Sequence, residues 1–134
     1  MNQIRYVEGF KYQLHAAYTI QTPIRPEKHI ATEYIILSTL GVLIIKEGYA
    51  WDGPSGPTVD TPEFMRGSLV HDAFYQLMRE GYLEHEYREQ ADDLLRAMCR
   101  EDGMSWIRAW WVHTAVRNFG EISIDELDPV ITAP

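Results

Sequence analysis

The stretch "GYAWDGPSGP", Gly48 to Pro57, decides most of what this chain can become. Proline has no amide proton to give to a helix turn or a strand ladder, and glycine loses more freedom than any other residue when it is ordered. No helix or strand interior is expected to pass through such a run. The residues on either side must therefore find their secondary structure separately. Before the break, apolar side chains recur at every second position. After it, they recur at every third or fourth.

The alternation is clearest from Phe10 to Gln21. Phe10, Tyr12, Leu14, Ala16, Tyr18 and Ile20 share one face, and Lys11, Gln13, His15, Thr19 and Gln21 the other, which predicts one half-buried strand. "TPIRPEKH" (Thr22–His29) has two prolines and no period, so it is expected to be a loop. Thr32–Leu37 and Val42–Lys46 are apolar, β-branched runs on either side of "STLG", which predicts a hairpin. Beyond the break, Thr61 followed by Pro62 is a helix start. Helix one is predicted to run to about Glu80 and stop at Gly81, helix two to run from about Glu84 to Glu101 and stop at Gly103, and helix three to start at Ser105 and run to Asn118, before Gly120. These elements predict an α+β fold in one domain. Residues 1–47 form a small antiparallel sheet (a hairpin plus one strand), 48–60 a loop, 61–120 three helices with the first two antiparallel, and 121–134 an acidic tail whose Ile122, Ile124 and Leu127 dock on the body.

Composition narrows the function classes. The chain has 134 residues, 46% hydrophobic and 24% charged, which suits an ordinary globular core. Its single cysteine, Cys99, excludes an internal disulfide framework. No apolar run reaches the roughly 20 residues of a membrane span, and "MNQIRYVEGF" lacks a signal-peptide pattern. Twelve basic residues against twenty acidic ones give a net charge of −8. Nucleic-acid binding, which needs clustered Lys and Arg, is not expected.

One constellation carries chemistry. On helix one, Phe64, Gly67, Ser68, His71, Tyr75 and Met78 fall on one face by their i, i+3, i+4 and i+7 spacing. Asp72 is turned by about 100° and reaches the edge of that face. On helix two, Tyr87, Ala91, Leu94, Leu95 and Met98 make the core stripe. Asp92 borders the stripe, whereas Asp93 lies on the water side. A carboxylate at a core edge needs a partner, and an imidazole on an antiparallel neighbour supplies one. His71 is thus a candidate base, with Asp92 fixing its tautomer. Asp72 and carbonyls of the glycine-rich loop are candidate oxygen ligands for Ca2+, a cation that prefers such donors. The cation would stabilise an oxyanion as water attacks an ester.

The sequence then resembles two families. "EGYAWDGPSGP", "HDAFY", "ADDLL" and "RAWWVHTAVRNFG", in that order over roughly residues 40 to 120, resemble a family of tailed-phage and prophage proteins, a domain of unknown function of the 1353 type. "GPSGPTVD", "HDAFY" and "QADD" are similar to the phospholipase A2 superfamily, especially the disulfide-free type of parvovirus capsids. That second resemblance implies a calcium-dependent lipid acyl-ester hydrolase. His71 would be the general base, Asp72 a calcium ligand, Asp92 the carboxylate behind the histidine, and Tyr75 a hydrogen-bond donor to Asp92. Gly53 and Ser55 would offer loop carbonyls. Asp52 has no counterpart in the lipase pattern and would either add a ligand or turn the loop. The loop here is proline-rich, and its Pro-x-Val-Asp has one extra residue. Implied partners are a lipid substrate or membrane and other phage proteins, in host cytoplasm or in the virion.

A plainer alternative stands beside this one. A histidine on an apolar helix face is often a satisfied core residue, and the same residues would then form a structural network in a non-enzymatic virion or tail protein. Asp72 would pair with Arg79 or Arg88, and the loop would be a rigid turn. A metal-dependent His-Asp phosphohydrolase ranks last, because neither His15 nor His29 falls on a predicted helix. Ile107, Trp110, Trp111, Ala115 and Phe119 fit one helical stripe, so packing in the core is expected of them rather than a membrane interface. His113 is expected to be structural, Cys99 an inert buried thiol, and His15, His29 and His85 surface residues.

Overall fold

In a computed structural model, the structure describes residues 6–7, 12–51 and 62–125. The fold is α+β: antiparallel strands come first and three helices follow. The chain divides into two compact units, residues 1–52 and 53–133.

The first unit holds two small sheets. One has the order β1-β2-β7, from Tyr6–Val7, Tyr12–Leu14 and Ala50–Trp51. The other has the order β3-β6-β5-β4, from Tyr18–Gln21, Val42–Ile45, Ile35–Leu37 and Ile30–Ala31. Every pairing is antiparallel. The expected hairpin is β5–β6, with Ile35 opposite Ile45 and Leu37 opposite Leu43. Ser38 closes its tip: its carbonyl accepts from Gly41 N–H at 3.0 Å and its hydroxyl from Val42 N–H at 3.1 Å.

Two expectations fail here. The strand predicted over Phe10–Gln21 is broken by a bend at His15–Ala16, and its two halves belong to different sheets. Alternation survives the bend: Leu14 and Tyr18 are buried, while Gln13, His15, Ala17 and Thr19 are exposed. Burial on one face and the choice of hydrogen-bond partner are separate matters, and only the first is written in a period of two. The run from Gly48 was also expected to exclude strand. Ala50–Trp51 nevertheless pairs with Tyr12 and Gln13, a ladder too short to need periodicity. Residues 52–61, which include the loop and the Thr61 cap, lie outside the described residues, as do 126–134.

The second unit is built on α1 (Pro62–Arg79), α2 (Arg88–Glu101, entered through a 3-10 turn at His85–Tyr87) and α3 (Trp106–Asp125). Pro62 is the first helical residue, as expected. α1 and α2 both end in a left-handed glycine. Tyr82 and Met104 N–H reach back to the Leu77 and Cys99 carbonyls, while Gly81 and Gly103 N–H reach Met78 and Arg100. That double bond is the Schellman closure, which satisfies carbonyls the helix leaves open. α3 begins as predicted, with Ser105 Oγ accepting from Arg108 N–H. It does not stop at Asn118 but passes through Gly120 to Asp125. A glycine inside a helix costs about 1 kcal/mol, which weakens a helix without ending it.

α1 and α2 run antiparallel and pack closely at Gly67. A β-carbon there would lie 3.0 Å from Leu95 Cδ1 and 3.2 Å from Cys99 Sγ. Beside that contact, Phe64, Leu95, Cys99, Met104, Ala109 and Val112 form a buried cluster. Burial pushes the Cys99 thiol up to about 12, with the Asp102 carboxylate adding to the effect, so it stays protonated. The buried Arg66 guanidinium clamps the other end of the α1–α2 pair, binding Asp102 through Nε at 2.9 Å and also Glu101.

α3 reverses one expectation. Of the stripe predicted to enter the core, Ile107, Trp110 and Trp111 are exposed, as is Trp106 beside them; Ala115 is half-buried, the side chain of Phe119 lies outside the described residues, and Ala109 and Val112 are buried instead. Interiors are close-packed, and α3 sends Ala109 and Val112 rather than indoles into the cluster with Cys99. Gly67→Leu should therefore lower stability by about 1–3 kcal/mol through overpacking. Denaturant unfolding would check it, and an unchanged midpoint would contradict the close approach.

Candidate functional site

His71 and Tyr75 lie one helical turn apart on α1, so their side chains leave the same face. Their rings sit 4.1 Å apart between centroids. Both reach Asp92 on α2. His71 Nε2 is 2.7 Å from Asp92 Oδ1, and the Tyr75 hydroxyl donates to that same oxygen at 2.6 Å. Asp92 does not merely border the core stripe as the spacing suggested. Its side chain is fully buried, at 0% exposure.

The second carboxylate oxygen faces arginine. Arg117 Nε, from α3, donates to Asp92 Oδ2 at 3.2 Å, and Arg88 Nη1 lies 3.6 Å from it. Burial pushes the Asp92 carboxyl up. The hydrogen bonds from His71, Tyr75 and Arg117 outweigh it and hold the group below its ordinary 3.8. Tyr75 moves the opposite way: burial raises its phenol, and the adjacent Asp92 charge raises it further. Tyr75 therefore keeps its proton and donates it to Asp92.

These charges assign the histidine proton. An ionised carboxylate can only accept, so the ring nitrogen facing it, Nε2, carries the hydrogen. In the neutral tautomer that this leaves, the lone pair is at Nδ1, which has no hydrogen-bond partner among the described residues. The His71 side chain keeps 13% of its surface exposed. A partly open, oriented imidazole with a bare nitrogen can accept a proton from water or another donor.

A second histidine–aspartate pair adjoins the first. Asp93 was expected to face water. It is 58% exposed, yet His113 Nε2 lies 2.7 Å from its Oδ1 and Arg117 Nη2 lies 3.0 Å from the same atom. Arg117 thus bridges the two neighbouring aspartates. Its guanidinium loses some solvation by burial, but the Asp92 and Asp93 charges prevail and raise its affinity for protons. Residue spacing within α1 and α2 could not reveal Arg117 or His113 as partners. Their own i, i+4 spacing on α3 was the available signal, since it aligns both with the acidic pair once α3 packs antiparallel to α2.

Asp72 is half-buried beside His71. Asp52, Gly53 and Ser55, the other candidate calcium ligands, lie outside the described residues. Among the described residues, no three His, Cys, Asp or Glu side chains gather where they could hold a metal ion. His15, His29 and His85 are exposed, as expected. Among the described residues, no helix is long and apolar enough to cross a membrane.

With this geometry in place, comparison with known proteins gives one match. The family model for "Protein of unknown function (DUF1353)" matches residues 29–116. The chain belongs to the DUF1353 family. The match takes in His71, Tyr75, Asp92, Asp93 and His113, and it ends one residue before Arg117. No curated protein and no solved structure matches the chain.

Asp92→Asn should destabilise this DUF1353 protein by on the order of 3 kcal/mol, because donors built around a buried charge lose it. The pH dependence follows from the lowered carboxyl. Its stabilisation is complete above the unfolded value of 3.8 and is lost as pH falls through the lower folded value. Denaturant titrations from neutral pH to well below 3.8 should show the wild type losing more stability than Asp92→Asn. Parallel losses would contradict the assignment.

Proposed function

We propose that the protein is an ester hydrolase with a phospholipase A2-like dyad, acting on lipid acyl esters, and that it is of phage or prophage origin. One observation carries this reading: His71 Nε2 and the Tyr75 hydroxyl converge on a single buried oxygen of Asp92 at 2.7 and 2.6 Å. The resemblance to phospholipases assigns the same three roles to the same three residues. His71 Nδ1 takes the proton from a water that attacks the ester carbonyl, and later returns it to the leaving alkoxide. Asp92 holds the ring through Nε2–H and stabilises the imidazolium that forms. Tyr75 and Arg117 keep Asp92 ionised and aimed.

Calcium belongs to this proposal through Asp72. Ca2+ takes six to eight oxygens, and the described residues contribute that one carboxylate. The carbonyls of Gly53 and Ser55 would add to it, with water filling the remaining positions. When bound, the ion would supply positive charge for the oxyanion of the tetrahedral intermediate. Lipid and other phage proteins are the proposed partners, in host cytoplasm or in the virion.

A second reading has its own support. Asp92 Oδ2 is held by Arg117 with Arg88 nearby, so the carboxylate ties three helices together. The same residues could serve only as a fastening in a virion or tail protein. His71→Ala separates the two. The hydrolase reading predicts ester hydrolysis by the wild type, a fall in kcat/KM of about 10²- to 10⁴-fold in the variant, and loss of activity on calcium chelation. A wild type without activity on phospholipid or soluble esters, together with a lower Tm in His71→Ala, would favour the fastening.

A further inference from the structure

α3 buries its small residues and exposes its large ones. Ala109 and Val112 face the core, with Val116 packed partly against it. On the opposite arc, Trp106, Ile107, Trp110 and Trp111 are 67%, 61%, 54% and 42% exposed. Isolated exposed apolar residues are common, but a contiguous group of three indoles on two helical turns is not. At 100° per residue, these four share about 140° of arc with Thr114 and Asn118. Between Trp106 and Asn118 the one charged residue on that arc is Arg117, while Glu121 and Asp125 follow at the same angles one and two turns beyond it. Arg117, at the margin of the arc, is held by Asp92 and Asp93, and Arg108 pairs with Glu63 on the other side.

We propose that this face of α3 is the interface of a symmetric dimer, packed against the same face of a second copy of the chain. The inference is independent of the hydrolase reading. Its first support is area. Taking roughly 250 Å² for a whole tryptophan side chain, the three indoles expose about 400 Å² per copy. A two-fold contact buries that twice and adds Ile107 with the Thr114 and Asn118 rim. The total approaches the roughly 1,200–2,000 Å² of stable interfaces.

The second support is charge. The chain carries −8 overall, so two copies repel unless they meet on an uncharged surface. An isologous contact sets a patch against itself, where any net charge would face its like. The patch of Trp106, Ile107, Trp110 and Trp111 meets that condition. Its composition also suits the centre of a protein interface, where tryptophan is enriched and Lys, Glu and Asp are depleted. Trp106 with Trp110, and Ile107 with Trp111, make two i, i+4 ridges that can interleave with their symmetry mates.

A lipid surface suits the arc less well. Helices that lie on membranes flank their apolar face with Lys and Arg. All three lysines, Lys11, Lys28 and Lys46, precede α1, and both arginines among the described α3 side chains are paired with carboxylates.

Sedimentation velocity of the full chain tests the proposal. The wild type should run at twice the 15.6 kDa chain mass. Trp110→Glu combined with Trp111→Glu should run as a monomer with an unchanged far-UV spectrum, the dissociation constant rising at least about 100-fold. Trp106→Ser alone should weaken the dimer and serves if the double variant fails to fold. A wild type that is monomeric throughout the micromolar range overturns the proposal, as does a dimer unaffected by either change. A monomer that floats with phosphatidylcholine vesicles overturns it too and assigns the arc to lipid.

Discussion

A single carboxylate withdrawn from water organises the helical unit. Asp92 is fully buried, and an isolated ion in that position would cost many kcal/mol. The cost is offset by groups from all three helices: His71 and Tyr75 from α1, Arg88 from α2 itself, and Arg117 from α3. They reach Asp92 together only when the helices pack in this register. The ion therefore specifies the packing, although replacing such a network with apolar residues can leave a protein equally stable. Gly67 makes the register reachable by letting α1 and α2 approach within contact of Leu95 and Cys99.

The two oxygens of Asp92 divide the work. Oδ1 faces His71 and Tyr75, and Oδ2 faces the guanidinium groups. With arginine beside it, the carboxylate stays ionised, but part of its field is cancelled before it reaches the imidazole. Its effect on His71 is then mainly one of orientation: it holds the proton on Nε2 and leaves Nδ1 bare. Arg117 extends the arrangement to Asp93 and so to His113. The two adjacent aspartates consequently respond as a unit to any change at that arginine.

How much of this was legible in the sequence depended on distance along the chain. The spacing of His71 and Tyr75, and the row of Asp92 beside Leu95, are local facts. Once the Gly81 turn made α1 and α2 antiparallel neighbours, they were enough to bring the three residues together. The α3 contribution was not local. Sequence periodicity offered one apolar stripe on this helix, the one with Trp110 and Trp111. Packing instead placed Ala109 and Val112 in the cluster with Phe64, Leu95 and Cys99, a long-range outcome no local pattern records. The break at His15–Ala16 was hidden for the converse reason: the alternation continues through it while the strand changes partners.

The account turns on the proton of one ring. Long-range ¹H–¹⁵N correlation of the His71 imidazole near neutral pH reads the tautomer directly. The neutral form should carry its hydrogen on Nε2, in a downfield-shifted bond to Asp92, with Nδ1 showing the shift of a bare nitrogen. A ring protonated on Nδ1 would mean that Asp92 does not hold it, and both the oriented base and the charge network behind it would fall.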